Sequence, residues 1–450
     1  MTHKQAYIYT FMVFALICLF SYLATGQSRK LSLQEALSLS LANNREIKVT
    51  SFDVDRSQQQ VIVARSQQQP VVGLGGQLLH YFQSPVFFGF GNSTGSNDKI
   101  PYGRFGGKDQ VAATLFVTQP VYNAGIQPGI QQAKLQERKS RLQVTNKEIN
   151  IAAAVKQTYI QLLVLHERIR LQNESLARNE KALKDAKSLL AQGRALRVDT
   201  LRAYTSVENL KPDILKLTYA IGVGKQQLKT LIGIDSLQEI ELSDSLRLPA
   251  AGGTLLTEEE VYNEAKLHRS DLKALDMEQQ IAEQQIRLAA ANMKPVVSLN
   301  AQYLLQTQTS NFNYFNANYP STPFVGAQVT VPIFNGNSNK AKVKQAKIEK
   351  EQSVVRSKNA YEELKAEIKQ VVADVSETAA RIQTSANVKE TALLSYDITQ
   401  YRYAKGVASR LELTDAELAL TTAQSNYLEA VYDYLSARIA LERSMGITGQ

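Results

Sequence analysis

Reactive side chains are sparse in this sequence, and their spacing argues against catalysis. His80, His166 and His268 stand far apart, with no HExxH pair of a zinc protease and no GxSxG turn of a hydrolase. The one cysteine, Cys18, lies inside the apolar run from Phe11 to Phe20, so the chain beyond that run holds no thiol for disulfide or nucleophilic chemistry. Glycine clusters at Gly73-Leu74-Gly75-Gly76 and Gly106-Gly107-Lys108 lack phosphate-loop spacing, because Asp109 stands where such a loop needs Ser or Thr. The chain therefore reads as a non-enzyme, with no cofactor and no metal expected. What remains is charge gathered after two glycines: Arg197 and Asp199 follow Gly193, and Arg410, Glu412 and Asp415 follow Gly406. Carboxylates repeated around a symmetry axis ring an opening and favour cations, and neighbouring arginines can latch helices by pairing. On a single helix the same residues are a solvated face.

Those two glycines correspond because the chain is a duplication. TQPVYNAG (Thr118 to Gly125) returns as TVPIFNG (Thr330 to Gly336), each reading Pro, aliphatic, aromatic, Asn. Ser32-Leu33-Gln34-Glu35 matches Thr257-Glu258-Glu259-Glu260, both written as capping boxes with Glu three residues after a hydroxyl. Pro70 and Pro295 stop the helical patterns that follow, and LIGI (Leu231 to Ile234) returns as SMGI (Ser444 to Ile447). The first repeat is expected over 27–234, with a helix at 33–68, a β-hairpin at 70–119, a long helix at 128–192 and a return helix at 197–231. An irregular linker at 235–255 leads to the second repeat, 256–450, with a helix at 258–293, a hairpin at 295–331, a long helix at 338–405 and a return helix at 409–444.

Periodicity supplies the element types. Val297, Leu299, Ala301, Tyr303 and Leu305 alternate with Ser298, Asn300, Gln302 and Gln306, leaving Leu304 as the exception. Val325, Ala327, Val329 and Val331 alternate with Gly326, Gln328 and Thr330, and Val111, Ala113, Leu115 and Val117 share one side in the first repeat. That is the pattern of strands with one apolar and one wet face. In the long runs, Leu162, Ile169, Leu176, Leu183 and Leu190 recur every seven residues, as do Tyr361, Ile368, Val375 and Ile382. Heptad spacing marks helices packed along seams; at 1.5 Å per residue each helix would be on the order of 100 Å long.

The first 26 residues have the layout of a secretory signal: Lys4, an apolar core too short for a spanning helix, and Ala24-Thr25-Gly26 before Gln27. Ala15 and Ile17 stand where a lipid anchor at Cys18 would need Leu and a small residue, so lipidation is not expected. The net charge of +9 is spread along the chain without a basic block, so nucleic acid is not an expected partner.

Four strands of membrane-spanning length cannot leave open edges in lipid and cannot close a useful barrel alone. Three protomers would contribute twelve strands and leave room for a pore, which the polar strand faces favour. An exported soluble helical scaffold or adaptor-like spacer, with half-exposed sheets in water, is the alternative. The order and duplication of these motifs over essentially the whole mature chain resemble the TolC-like outer-membrane efflux family. The resemblance implies a mostly α fold with a membrane β-barrel: a homotrimer whose 12-stranded outer-membrane barrel continues into a periplasmic α-helical barrel. It further implies an outer-membrane location of Gram-negative type and contact with outer-membrane lipid. A periplasmic membrane-fusion adaptor and an inner-membrane pump would be partners in efflux or type I secretion. By resemblance, Gly193, Ala195, Leu196, Gly406, Ala408 and Ser409 are adaptor-docking candidates at the helical tips. Asp199 fits the family's acid six residues after the tip glycine, where the second repeat has Glu412; with Asp415, Arg197 and Arg410 these are the gate candidates. Pro120, Tyr122, Asn123, Pro332, Phe334 and Asn335 are then the β-to-α junctions. A proline without an N–H suits a strand end, the aromatics suit a membrane–water girdle, and Pro128 and Asn337 or Ser338 suit helix starts.

Overall fold

The computed structural model describes residues 29–88, 102–246, 256–310 and 314–448. The expected signal segment with Cys18, the middle of the first hairpin loop and residues 247–255 of the expected linker lie outside the described residues. In chain order the elements are β1 (Arg29–Leu31), α1 (Leu33–Asn43), α2 (Arg45–Ser66), β2 (Val71–His80), β3 (Val86–Phe88), β4 (Tyr102–Arg104), β5 (Asp109–Asn123), α3 (Ile126–Ala191) and α4 (Arg197–Ile232). They continue as β6 (Ile240–Leu242), α5 (Glu258–His268), α6 (Ser270–Ala291), β7 (Val296–Thr309), β8 (Ser321–Thr330), α7 (Ser338–Ala404) and α8 (Arg410–Ser444). They form two compact units, one of 53–140 with 275–357 and one of the remaining segments.

The unit of 53–140 and 275–357 holds a four-stranded antiparallel sheet in the order β2-β5-β7-β8. The two hairpins meet through β5 and β7, so β2 and β8 are left as edges. In the other unit, a core of Leu31, Ala36, Leu37, Ile47, Val155, Tyr159, Leu228 and Ile232 closes over a parallel pair of short strands, β1 and β6. Tyr159 anchors it: its one O–H is shared between Leu31 O at 2.8 Å and Asp244 Oδ2 at 2.9 Å, and Asp244 Oδ2 also accepts from Leu33 N at 2.8 Å. Burial, with the Asp244 carboxylate adding to it, pushes the Tyr159 phenol above its usual range. The expected irregular linker is thereby corrected at its start: Ile240–Leu242 pairs with Arg29–Leu31, because Ile240 completes this core.

The helices expected at 33–68 and 258–293 are each two helices. The first breaks at Asn44 (φ −60°, ψ 129°) and the second at Arg269 (φ −63°, ψ 115°). Asn44 Oδ1 accepts from Glu46 N at 2.8 Å and Ile47 N at 3.1 Å, so it caps α2. Gly233 occupies the opposite wall of that break, where a Cβ would stand 2.4 Å from Asn43 O; Gly446 does the same against Arg269. The first capping box is only half made. Ser32 Oγ accepts from Glu35 N at 3.2 Å, but the Glu35 carboxylate turns to Arg29 at 2.6 Å. Thr257 and Glu260 make both bonds.

Both long helices are continuous, α3 over 66 residues and α7 over 67. The expectation that Pro120 ends a strand is corrected: β5 runs through it to Asn123. Proline is tolerated there because β2 pairs only as far as Thr118, leaving β5 one neighbour, and a bulge follows between Pro120 and Tyr122. Pro332 lies two residues beyond β8. Helix α3 opens at Ile126 rather than 128, with Pro128 in its first turn, where no N–H is required.

Candidate functional site

The strand register sorts the sheet into two chemically distinct faces. Antiparallel partners project to the same side, so one face can be followed across all four strands. Val72, Leu74 and Leu78 of β2 pair with Val117, Leu115 and Val111 of β5. Leu115 and Val117 pair with Tyr303 and Ala301 of β7, and Ala301, Leu299 and Val297 pair with Val325, Ala327 and Val329 of β8. This face is apolar and largely uncovered: Leu74 is 80% exposed and Val325 82%. The opposite face carries Gln110, Thr114 and Thr118 of β5 beside Gln308, Leu304 and Asn300 of β7, then Thr322, Gln328 and Thr330 of β8. Thr118 Oγ1 donates to Asn300 Oδ1 at 3.1 Å, tying the two hairpins through side chains. Phe116 also lies on this face, with its ring across Gly73, where any Cβ would meet Cζ at 2.3 Å. An unpartnered apolar face backed by a polar one is what a lipid-facing barrel wall with a wet lumen requires.

The bulge decides where the junction aromatic points. Gln119 pairs with Leu299, and Val121 would take the same side by simple alternation; the extra residue instead pairs Tyr122 with Val297 on the apolar face. Asn123 Oδ1 then accepts from Gly125 N at 2.9 Å and turns the chain into α3. In the second junction Gly336 and Asn337 both adopt φ 65°, and Ser338 N donates to Asn335 O at 3.3 Å at the start of α7. Phe334 is 81% exposed.

At the other ends of the long helices, Gly193 (φ 71°) and Gly406 (φ 75°) close matching turns. Arg194 N donates to Leu189 O at 2.9 Å, and Val407 N donates to Arg402 O at 2.9 Å, the bond that spans six residues when a helix ends on a left-handed glycine. Three residues later Leu196 and Ser409 start the return helices α4 and α8. Leu196 has no side-chain acceptor, so the box it forms with Asp199 is one-sided: Asp199 Oδ2 accepts from Leu196 N at 3.2 Å. In α8 the polarity reverses, and Ser409 Oγ accepts from Glu412 N at 3.2 Å. Both acids thus stand at the third position of a helix, where a negative charge is favoured.

A cleft of about 680 Å³ brings the two turns together; Arg194, Ala195, Asp199, Gly406, Ala408 and Arg410 line it. Glu412 and Asp415 are exposed and stand outside it, as do Gly193, Leu196, Arg197 and Ser409. The guanidinium of Arg410 sits 6.0 Å over the Tyr403 ring. Deeper in the helices, Arg178 Nε of α3 pairs with both oxygens of Glu417 of α8 at 2.9 Å, and Ser175 Oγ donates to Glu417 at 2.9 Å. Tyr396 of α7 packs beneath Arg178, 5.7 Å from the guanidinium. Burial and then the Glu417 carboxylate push its phenol above the usual range.

The outer membrane efflux protein family matches this chain over residues 36–234 and 261–447. The chain belongs to that family. Its helices and sheet are those of an outer-membrane efflux channel, and the two matched stretches correspond to its two repeats. The probable outer membrane lipoprotein SilC of Salmonella typhimurium is 24% identical over 66% of this chain, and the match spans 64% of SilC. The toluene efflux pump outer membrane protein TtgC of Pseudomonas putida is 22% identical over 92% of this chain and 83% of its own length. The crystal structure of the outer membrane protein VceC of Vibrio cholerae shares the fold at a TM-score of 0.71, with 18% identity over 92% of this chain and 96% of VceC.

Among the residues singled out in the sequence of this efflux protein, Ala195, Asp199, Gly406, Ala408 and Arg410 converge on one cleft. The Arg178–Glu417 pair was missed. Its one sequence signal is a carboxylate in an apolar stripe: Leu413, Glu417 and Leu420 share a helical face, and all three are buried.

Proposed function

We propose that this chain is one protomer of a homotrimeric exit duct in a tripartite efflux or type I secretion system. Four strands from each of three protomers close a twelve-stranded outer-membrane barrel, with β2 of one protomer meeting β8 of the next. The observation that carries this reading is a continuous apolar face followed through all four strands, backed on β5, β7 and β8 by a face rich in Gln, Asn and Thr, with β2 and β8 left as edges among the described residues. The Gly193 and Gly406 turns, with Ala195, Leu196, Ala408 and Ser409, dock a periplasmic adaptor that is coupled to an inner-membrane pump. Small residues there present backbone closely to a partner. Asp199, Glu412 and Asp415, with Arg197 and Arg410, form the entrance, where threefold repetition multiplies each charge. With a wet face of Gln, Asn, Ser and Thr side chains, selection of cargo belongs to the pump.

Planar-bilayer recording of the detergent-extracted protein tests the reading. Trimers that dissociate in SDS and conduct are expected, with Leu299→Arg costing about 2–4 kcal/mol and impairing assembly. Glu412→Ala with Asp415→Ala should lower cation selectivity; unchanged selectivity would remove those two acids from the entrance. A protein that fractionates with soluble material and never conducts would support the scaffold alternative instead.

A further inference from the structure

The second junction carries a feature that duplication does not account for. After β8 the chain exposes Ile333 at 95% and Phe334 at 81%, and α7 then begins with SNKAKVKQAKI. Lys340, Lys342, Lys344 and Lys347 fall within this start, with no acid among them. Lys340, Lys344 and Lys347 are spaced by four and three residues, so they share one side of the helix, while Lys342 takes the other. All four are exposed, and none is held by an ion pair among the described residues. By contrast, Lys350, one turn on, pairs with Glu283. Counting back by the 212 residues that separate Pro332 from Pro120, the first repeat has Pro128, Gln132 and Leu135 in place of the three aligned lysines. The lysine stripe is therefore a property of the second junction alone.

We propose that Lys340, Lys344 and Lys347 form a binding surface for the anionic phosphodiester headgroups of the phospholipid leaflet that meets this junction. The proposal rests on the reading of the sheet as a membrane barrel wall. Ile333 and Phe334 immerse at the boundary, and the lysines begin two residues into the helix and end within roughly 14 Å of its start. Lysine stems lie along apolar surface and extend their ammonium groups to the headgroup level. A juxtamembrane cluster of like cations attracts anionic lipid over about a Debye length, an attraction that salt weakens. Four positive charges without internal partners repel one another, and a negatively charged membrane surface relieves that repulsion.

The test uses the full chain as a trimer in lipid nanodiscs of phosphatidylcholine alone or mixed with phosphatidylglycerol. The wild-type thermal midpoint is expected to rise by about 2–4 °C in the anionic mixture and to fall back at high salt. Lys340→Gln, Lys344→Gln and Lys347→Gln together should abolish most of that rise, whereas the corresponding triple Arg variant should keep it. Lys181→Gln, Lys184→Gln and Lys187→Gln, a remote triple on α3, should also keep it. An equal rise in the wild type and the Gln triple, or no rise in the wild type, overturns the proposal. So does a Gln triple that changes pore ion selectivity without changing lipid dependence, because the lysines would then face the lumen. A wild-type protein that conducts but ignores lipid charge leaves the barrel reading standing; one that never incorporates overturns both.

Discussion

Arg178 and Glu417 join α3 to α8 through a fork in which Arg178 Nε lies 2.9 Å from each Glu417 oxygen. The pair is mostly withdrawn from solvent, with side-chain exposures of 25% and 11%. Heptad packing alone would place apolar residues here, so each charge depends on the other.

Removing one partner leaves the other charge buried without compensation. Arg178→Met or Glu417→Leu alone should each destabilise the isolated trimer by about 3 kcal/mol, and the double variant should recover most of the loss. Urea midpoints for the four proteins of this double-mutant cycle measure it. Additive losses would mean that the pair is not coupled.

Gly193, Gly406, Gly233 and Gly446, the left-handed glycines that end α3, α7, α4 and α8, share a backbone requirement but differ in surroundings. Gly193 and Gly406 have open space where a Cβ would stand, whereas Gly233 and Gly446 face Asn43 O at 2.4 Å and Arg269 Cα at 2.9 Å. Alanine at the two tip positions should cost about 1 kcal/mol for the conformation alone. Gly233→Ala and Gly446→Ala should cost at least about twice that, because backbone must move as well. Equal losses at all four positions, read from denaturation midpoints, would show that the breaks at Asn44 and Arg269 yield freely.

Arg269 links the second break to its surroundings, contacting Asp271 at 2.7 Å and Glu367 at 2.6 Å. Burial works to raise the Asp271 pKa, but the Arg269 guanidinium outweighs it and holds the carboxyl below its usual range. A folded-state pKa below the unfolded one gives stability that is complete above the unfolded value of about 3.9 and is lost as pH falls through the folded value. The wild type should therefore be more stable than Asp271→Asn at neutral pH, with the two converging in acid. A gap that stays constant down to strongly acidic pH would assign the difference to something other than this titration.

Much of this architecture was legible in the residues. Alternation in Val297–Leu305 and Val325–Val331, heptads from Leu162 and Tyr361, and the recurrence of Gly193 as Gly406 need only local rules of period and turn chemistry. Those rules identify strands, long helices and turns because each side chain's face follows from its spacing. The breaks at Asn44 and Arg269 were not legible. Asn44 caps α2 locally, but both breaks are completed from afar: Gly233 or Gly446 leaves room for the chain to turn, and a carbonyl of the return helix accepts from the side chain at the break. Asn44 Nδ2 donates to Leu231 O at 2.7 Å, and Arg269 Nη1 donates to Ser444 O at 3.4 Å, so two different side chains serve equivalent places.

The sequence by itself determined the duplication, the element types and the amphipathic character of each strand. Only the tertiary structure decided which strands share an apolar face, because register is a relation between residues as distant as Leu115 and Tyr303. It also decided that a bulge after Pro120 turns Tyr122 onto that face, and that Asp199 and Arg410 of different repeats line one cleft while Glu412 stays outside. Periodicity acts within a segment, whereas register, burial and charge pairing arise only when segments remote in the chain are packed together.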